Sequence, residues 1–266
     1  MTIDVWMQHP TERLLASPFI ASLRKWIPTI PSGEVSLEST MQQMDKAKIK
    51  CGLLSAWYGP LGPLISNAEV YAWTKRYPDR LLGLAGVDLS DPMQAIYELR
   101  KCVSEYGFKG LRIIQWLWDK PCTDALYYPL FAECVQLDIP VCLQVGLTGP
   151  LRVSETGRPL YIERVALDFP DLKIVCGHIG YPWQQEMIAF ATKFKNIYID
   201  TSAYKCKRYP SELVEYMRSH GRNKVMFGSN YPMLTPSECL QDLDQLKLGE
   251  NQNAFLYENA KRVFKL

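Results

Sequence analysis

The sequence has few of the residues that usually mark a metal centre or a disulfide framework. It contains only three histidines in 266 residues, and its eight cysteines are scattered, with no C-x-x-C pair. In a reducing compartment, cysteines spaced in this way are expected to be buried free thiols that behave as small apolar residues. The spacing therefore argues against a structural zinc site or a disulfide scaffold.

The sequence also lacks the features of proteins that bind nucleic acid or membranes. Lys and Arg number 30 against 28 Asp and Glu, an excess too small to attract an anionic polymer or surface. No apolar run approaches the roughly 18 residues that span a bilayer, and "MTIDVWMQHP" lacks the basic region and apolar core of a signal peptide. We therefore expect a cytoplasmic protein with a small-molecule partner and neither a nucleic-acid nor a membrane partner.

No linker divides the chain. There is no Gly/Ser/Pro-rich tract, charge block or low-complexity segment, and 47% of the residues are apolar, enough for a large core. The sequence predicts one domain over residues 1–266.

One pattern recurs along the chain: a short apolar run ends in Gly, Asp, Asn or Pro and is followed by a segment with helical spacing. The helical segments include "LESTMQQMDKAKIK", "DPMQAIYELRKCVSEY", "YYPLFAECVQLD", "YIERVALDFPDL" and "PSELVEYMRSHG". The predicted strands are "IDVWMQ", "CGLLSAWYG", "LLGLAGVDL", "GLRIIQW", "PVCLQVG", "KIVCGHIG", "IYIDTSAY" and "KVMFGSNYPM".

Eight strands that alternate with helices and are apolar on both faces predict a closed parallel (β/α)₈ TIM-type barrel. A doubly wound open sheet is the alternative. The strand count and the lack of a G-x-G-x-x-G after any strand disfavour it.

In such a barrel the chemistry lies where each strand ends, at the C-terminal face. These positions are rich in aromatic and amide groups and poor in histidine and carboxylate, so an apolar pocket with a few polar groups is expected there. They are Trp6, Gln8, His9, Trp57, Tyr58, Asp88, Arg112, Gln115, Trp116, Trp118, Asp119, Gln144, His178, Asp200, Ser202, Asn230 and Tyr231.

His178, in "IVCGHIGYPW", follows the sixth predicted strand. It is either a hydrogen-bonded core residue or a group that exchanges a proton with substrate, and its strand-end position supports the second reading. If Ile174 and Cys176 face the barrel lumen, a period of two places His178 on the same face. Its unperturbed pKa is also the nearest to neutrality among the candidate bases.

Two arginines are candidates for holding a substrate carboxylate. Arg112 lies within the fourth predicted strand, and Arg152 lies in the loop "GLTGPLRVSETGRP", which is long enough to act as a lid. The alternative for Arg112 is a structural ion pair with Asp88, Asp119 or Asp200.

Asp4 and Asp200 stand inside apolar strands. A buried carboxylate needs fixed partners, so for Asp4 in particular we expect bonds to backbone amides.

Five segments carry a family resemblance: "IDVWMQHP", "VCGHIGYPW", "YIDTSAY", "FGSNYPM" and a closing "FLYENAKRVFKL" with Asn259 and Ala260. Together they resemble the amidohydrolase superfamily, in the branch of aminocarboxymuconate semialdehyde decarboxylase, related aromatic-acid decarboxylases and metal-independent lactonases. The resemblance covers essentially the whole chain and implies the barrel fold.

The sequence departs from this family where metal-binding members carry their ligands. The His-x-His of the first strand corresponds to Trp6 and Gln8, the fifth-strand His to Gln144, and the eighth-strand Asp to Asn230, which leaves only His178. Amide oxygens are weak zinc donors, so no metal cofactor is expected. The alternative is one divalent ion held by His9 and His178, provided that a bulge shifts the register of the first strand.

The loss of the eighth-strand Asp also removes the group that the resemblance assigns to water activation, because an amide has no basic lone pair near neutral pH. The predicted catalytic residues are therefore His178, Asn230 and Gln8. The predicted substrate-binding residues are Trp6, Trp57, Tyr58, Arg112, Gln144 and Arg152.

The resemblance implies a hydrolase, such as a metal-independent lactonase, or a decarboxylase of a small ring-containing carboxylic acid. The alternative is a catalytically eroded paralogue that binds a ligand or serves as a partner subunit. We expect a homo-oligomer or pairing with a homologous subunit.

Overall fold

The computed structural model describes residues 1–266. Eight short, buried strands run parallel and form the barrel, as the pattern of apolar runs predicts. They are β1 (Ile3–Met7), β2 (Cys51–Ser55), β5 (Leu81–Leu84), β6 (Leu111–Ile113), β7 (Val141–Gln144), β8 (Ile174–Gly177), β9 (Ile197–Asp200) and β10 (Val225–Met226).

Backbone hydrogen bonds close these strands into a ring. The ladders give the orders β1-β2-β5 and β6-β7-β8-β9-β10. The two arcs meet at a parallel bridge between Ala85 and Leu111 and at another between Met7 and Tyr231. Val5 N also donates to Phe227 O at 3.0 Å. The predicted closed barrel is confirmed, since an open sheet would leave β1 and β10 as free edges.

Helices cover the outside of the barrel, and some of them begin at side-chain caps. Ser66 and Glu69 form a capping box at the start of α4 (Asn67–Arg76), and Asp91 caps α5 (Pro92–Ser104). The predicted helical segments are confirmed with shifts of a few residues at their ends. The helices of eight or more residues are α3 (Leu37–Lys46), α4 (Asn67–Arg76), α5 (Pro92–Ser104), α7 (Tyr128–Gln136), α8 (Leu160–Asp168), α9 (Gln184–Lys193) and α10 (Ser211–Arg218).

Shorter helical pieces occupy the loops and the end of the chain. The α-helical ones are α1 (Glu12–Leu15), α2 (Pro18–Leu23), α6 (Gln115–Trp118), α11 (Pro236–Leu240), α12 (Asn251–Asn253) and α13 (Asn259–Phe264). The 3₁₀ turns are Glu155–Gly157, Cys206–Arg208 and Leu243–Leu246, and Ala254–Glu258 is a π-helical turn.

The second predicted strand, 51–59, is wrong in one respect. The barrel strand ends at Ser55, and a separate antiparallel hairpin follows, made of β3 (Trp57–Gly59) and β4 (Gly62–Ile65). Gly62 takes a positive φ of 97° at the turn, a conformation that glycine adopts without strain. The hairpin places Trp57 at the mouth of the barrel.

The barrel interior forms its own apolar cluster, separate from the larger core between strands and helices. α13 closes the N-terminal end of the lumen with Ala260, Val263 and Phe264. Val175 belongs to the interior cluster, whereas Ile174 and Cys176 belong to the outer core. The predicted inward face of β8 is therefore wrong by one residue.

All eight cysteines are free. None of the helices combines the length and the hydropathy needed to cross a bilayer.

Candidate active site

A cavity of about 470 Å³ opens at the C-terminal ends of the barrel strands. Five of the predicted site residues line it: Trp6, Trp57, Gln144, His178 and Asn230. The cavity is therefore where the barrel topology predicts a binding site, and its size is within the range of small-molecule pockets.

Aromatic and aliphatic side chains form the walls of the cavity. Trp57 and Trp116 pack edge to face with ring centroids 6.3 Å apart, and Phe19 packs on Trp116 at 5.0 Å. Phe19 and Trp26 come from the segment between β1 and α3, which sequence reasoning missed. The run of apolar residues in "SPFIASLRKWIP" was the available signal.

Three predicted substrate-binding residues, Tyr58, Arg112 and Arg152, do not line this cavity. Tyr58 packs toward Gly86 and the outer core, because neighbouring residues of the hairpin alternate faces. Arg152 lies in an adjacent surface cleft, where it pairs with Asp119 at 2.7 Å and reaches the Trp116 carbonyl. Neither Tyr58 nor Arg152 is placed to touch a ligand in the cavity.

His178 reaches the cavity through its backbone conformation. β8 ends at Gly177, and His178 has a positive φ of 69°, so the strand alternation no longer applies at this residue. Its ring lies 5.2 Å from that of Trp6, edge to face. His178 therefore faces the site, as predicted, but because of its backbone conformation and not because of strand alternation.

The imidazole is held by Ser202. Ser202 Oγ accepts the backbone N–H of His178 at 3.3 Å and lies 2.7 Å from His178 Nδ1. When the Ser202 hydroxyl donates to Nδ1, the ring is the neutral tautomer with its proton on Nε2. Nε2–H then remains available to a ligand.

The prediction that His178 titrates near neutral pH is wrong for the ligand-free protein. Burial, and next the Arg112 guanidinium, lower the pKa of His178 to about 3, because both disfavour the imidazolium. At neutral pH the ring is therefore a neutral hydrogen-bonding group.

Gln144 has a fixed amide orientation. The Trp116 indole N–H, which can only donate, bonds Gln144 Oε1 at 2.6 Å. The Gln144 backbone N–H donates to Gln115 Oε1 at 3.0 Å. The NH₂ group of Gln144 is left without a protein partner at the cavity.

Asn230 is fixed in the same way by residues beneath the cavity. Arg112 Nη1 donates to Gln8 Oε1 at 3.3 Å, and Gln8 Nε2 donates to Asn230 Oδ1 at 3.1 Å. Asn230 takes a positive φ of 67°, which asparagine tolerates better than most residues. Its NH₂ group has no partner in the protein. Gln8 and Arg112 therefore act from below the cavity, without lining it.

The ion pair with Asp88, Asp119 or Asp200, the alternative role for Arg112, is not formed. Arg112 is 3% exposed, stacks on Trp6 with Cζ 3.5 Å from the ring centroid, and has no carboxylate within ion-pair distance. Its Nε and Nη2 atoms have no partner. Burial lowers the pKa of Arg112 to about 10, so it remains a cation at neutral pH.

His9 is not brought to His178. The strand irregularity that could have redirected it is present between Asp4 and Met7. However, His9 Nδ1 bonds Thr40 Oγ1 at 2.7 Å, and the ring packs on Trp73. Burial lowers the pKa of His9 to about 4. The alternative metal pair of His9 and His178 is therefore wrong.

The residues present do not fit a divalent transition metal. No group of three or more His, Cys, Asp or Glu side chains is placed to hold one. Around His178 the potential donors are amides already bonded to Arg112 or Trp116, and the guanidinium adds a positive charge. Zinc and manganese need imidazole or anionic donors, which this set does not supply.

Two carboxylates lie buried in the barrel below the cavity. Asp4 Oδ1 accepts the backbone N–H groups of Trp6 and Ser229, and Asp200 Oδ1 accepts that of Ser202. The expected backbone-binding role of Asp4 is confirmed. Burial raises the pKa of both carboxyl groups to about 7.

We expect Asp200→Asn to change how stability depends on pH. Burial raises the pKa of Asp200 in the folded state. Its contribution to the free energy of unfolding is therefore full below about pH 4 and is lost as pH rises toward about 7. Asn keeps the Oδ1 acceptor but cannot ionise, so unfolding free energy should fall less for the variant between pH 4.5 and 7.5, by at least about 1 kcal/mol. Urea unfolding at both values measures this. Equal pH slopes for Asp200→Asn and the wild type would contradict it, and Asp79→Asn at the surface is the control.

We expect Gly177→Ala to displace Trp6 from the site. An added Cβ would lie 2.6 Å from two atoms of the Trp6 ring, too close for any side chain. Overpacking of this kind costs about 1–3 kcal/mol. Gly33→Ala, where nothing lies within 4 Å, is the matched control. Equal stability of the two variants in urea unfolding would show that the Trp6 contact is not tight.

Comparison with known proteins gives one family and a consistent fold. A family model described as amidohydrolase matches residues 63–266. A gamma-resorcylate decarboxylase of Rhodococcus jostii is 25% identical over 242 residues, covering 68% of this chain and 71% of that protein. A second, from Rhizobium radiobacter, is 22% identical over 247 residues, covering 72% of each.

Solved structures agree with the barrel. An uncharacterised TIM-barrel protein of Bordetella bronchiseptica superposes with a TM-score of 0.86 at 25% identity, covering 99% of this chain and 98% of that one. The 5-carboxyvanillate decarboxylase of Novosphingobium aromaticivorans, complexed with manganese and a nitrobenzoic acid, gives a TM-score of 0.77 at 19% identity. That match covers 100% of this chain and 96% of the other.

Proposed function

This chain belongs to the amidohydrolase family, and we propose that it removes the carboxyl group from a single-ring aromatic carboxylic acid without the help of a divalent metal. The relatives named as decarboxylases of such acids supply the reaction class. The cavity of this chain supplies the argument for the substrate.

One observation carries the proposal: the amide and imidazole groups on the cavity floor are arranged as donors, and aromatic rings form part of the apolar walls. The NH₂ groups of Gln144 and Asn230 and the Nε2–H of His178 all lack protein partners, while their other polar atoms are held. Trp57, which lines the cavity, also has an indole N–H with no partner. Donors at one end of an aromatic pocket suit a planar ring that carries an anionic group.

The chemistry requires one proton and no other co-reactant. The ring carbon that bears the carboxylate takes a proton, the bond to the carboxyl carbon breaks, its electron pair returns to the ring, and CO₂ leaves. A carboxylate bound at Nε2 favours the imidazolium, so binding should raise the low pKa of His178 and allow it to deliver this proton. His178 then recovers a proton from solvent.

Hydrolysis fits the cavity less well, because water would need a base. The carboxylate lining the cavity, Glu238, pairs with Lys205 at 2.8 Å and caps α11 through Thr235. These bonds lower its pKa, so it is a weak base. This observation favours the decarboxylase over the lactonase that the family resemblance also allows.

Turnover of hydroxylated benzoic acids tests the proposal. Protein purified without added metal and treated with chelator should release CO₂ from at least one acid of a panel that includes 2,6-dihydroxybenzoate. Release only after manganese is supplied would contradict the metal-independent part. Binding of the acids without any release would contradict the reaction and support an eroded, ligand-binding protein.

We also propose a cytoplasmic location and an oligomeric assembly, either with copies of itself or with a homologous subunit. Eight free cysteines support a reducing compartment. Light scattering on the purified protein tests the assembly, and a monomer at micromolar concentration would contradict self-association.

A further inference from the structure

We infer that Arg112 is a buried cation beneath this cavity, and that Gln8 and Asn230 relay its polarity to the cavity floor, so that the site selects an anionic group over a neutral group of the same shape. Lys205 and Arg208 also line the cavity, and Lys205 is paired with Glu238. The inference rests on the proposed function, since the anion would be the substrate carboxylate. It assigns Arg112 and Gln8 as positioning residues that never touch the ligand.

The relay starts from a cation whose charge is not neutralised locally. Arg112 is enclosed in the barrel, with Trp6 against its face and Gln8 Oε1 on Nη1. Its Nε and Nη2 atoms are buried and unpaired, and no carboxylate forms an ion pair with it. A buried, uncompensated cation is costly, and stacking on an indole offsets only part of that cost. An anion bound above it would be stabilised by the same charge.

The direction of the relay is determined by chemistry at its first bond. A guanidinium has donors only, so Gln8 must turn Oε1 toward Arg112. Gln8 Nε2 is then the group that faces Asn230 and must donate to its Oδ1, 3.1 Å away. Asn230 is therefore left with NH₂ at the cavity. Each bond polarises the next, which makes this terminal N–H a better donor.

Neither of the two nearby carboxylates forms an ion pair with Arg112. Asp4 and Asp200 direct their bonded oxygens to backbone N–H groups of Trp6, Ser229 and Ser202. Burial raises the pKa of both groups to about 7, so their charge is partly suppressed at neutral pH.

The test is a reversal of the relay with Gln8→Glu. Glutamate keeps the bond to Arg112 but presents a second acceptor to Asn230, which must then donate its NH₂ downward and turn Oδ1 to the cavity. Benzoate and benzamide are the probes, because they share a shape and differ in charge. We expect the wild type to prefer benzoate, and Gln8→Glu to bind benzoate about 10–10²-fold more weakly with benzamide little changed. Tryptophan fluorescence or calorimetry gives both dissociation constants.

Two further variants separate the relay from charge and from folding defects. Arg112→Met keeps a side chain against Trp6 but removes the cation, so it should also reduce the benzoate preference while benzamide binding persists. Gln115→Glu adds the same charge beside Gln144 outside the relay and keeps its acceptor for Gln144 N–H. It should reduce the preference less than Gln8→Glu does.

Three results would overturn the inference: no benzoate preference in the wild type, a preference that survives both Gln8→Glu and Arg112→Met, or an equal loss in Gln115→Glu. If Gln8 and Arg112 had only a structural role, their replacement would weaken the binding of benzoate and of benzamide alike. The proposed reaction fails separately. If the benzoate preference changes in the variants as expected but no acid is ever decarboxylated, only the proposed reaction is contradicted. If an acid is decarboxylated and Gln8→Glu changes neither its binding nor its turnover, only the relay is contradicted.

Discussion

Replacing His178 with glutamine should lower turnover of the aromatic acid about 10²-fold or more while the fold persists, the usual scale of general acid or base assistance. The imidazole lines the cavity, is held by Ser202 at Nδ1 and offers Nε2–H to the ligand. Glutamine keeps a donor of similar reach but cannot carry the proton to the ring carbon. The loss should therefore appear in kcat more than in KM.

His9→Gln is the matched control, since His9 is equally buried but bonds Thr40 away from the cavity. It should lose stability and keep turnover, as thermal unfolding and initial rates together will show. If both variants lose turnover to the same extent, or if His178→Gln loses only stability, His178 is a core residue and the assignment is wrong.

A metal site should be recoverable only when the arginine is removed as well. We expect the triple variant Trp6→His, Gln8→His, Asn230→Asp to bind Mn²⁺ or Zn²⁺ poorly, because the Arg112 guanidinium lies against the side chains of residues 6 and 8. At roughly 5 Å and an effective dielectric constant of about 20, a divalent ion and this cation repel by several kcal/mol. Adding Arg112→Met should strengthen binding by at least about 10²-fold, to about one equivalent per chain.

Elemental analysis after dialysis and calorimetric titration measure this series, with Arg112→Lys in the triple background as the control that keeps the charge. The native protein should carry far less than one equivalent of transition metal. One equivalent bound through His178 in the native protein would overturn the metal-independent proposal. Equal affinity of the triple and quadruple variants would show that Arg112 does not oppose the metal.

The local pattern of apolar residues was sufficient to predict the barrel fold of this chain. Apolar runs such as "LLGLAGVDL" and "KIVCGHIG" identify strands buried on both faces, and strands that alternate with helices close in few ways. The same reasoning places Trp6, Gln144, His178 and Asn230 at one rim, because the ends of parallel strands meet there. The amide residues at the strand ends could likewise be read from the sequence.

Backbone turns and side-chain pairings required the tertiary structure. The period-two argument failed at β8, because Val175 and not Ile174 or Cys176 faces the barrel interior. His178 reaches the cavity only through its positive φ, which its residue type does not predict. Tyr58 and Arg152 were misplaced because they belong to a hairpin and a loop, whose directions depend on long-range packing. The pKa of His178 was misjudged because desolvation and the Arg112 charge come from residues far away in sequence.

Strand period and chain order are local properties, so the amino-acid sequence was enough to predict the barrel, the rim that carries the site and the amide groups at that rim. Three features could be seen only in the folded structure: His178 is neutral, His9 is turned away from the cavity, and Arg112 lies beneath Gln8 and Asn230 without an ion-pair partner. These outcomes depend on burial and on contacts between residues such as Gln8 and Asn230, which are 222 positions apart. A charge or a hydrogen-bond direction set across that separation follows from the closed ring of strands and from nothing in the neighbouring sequence.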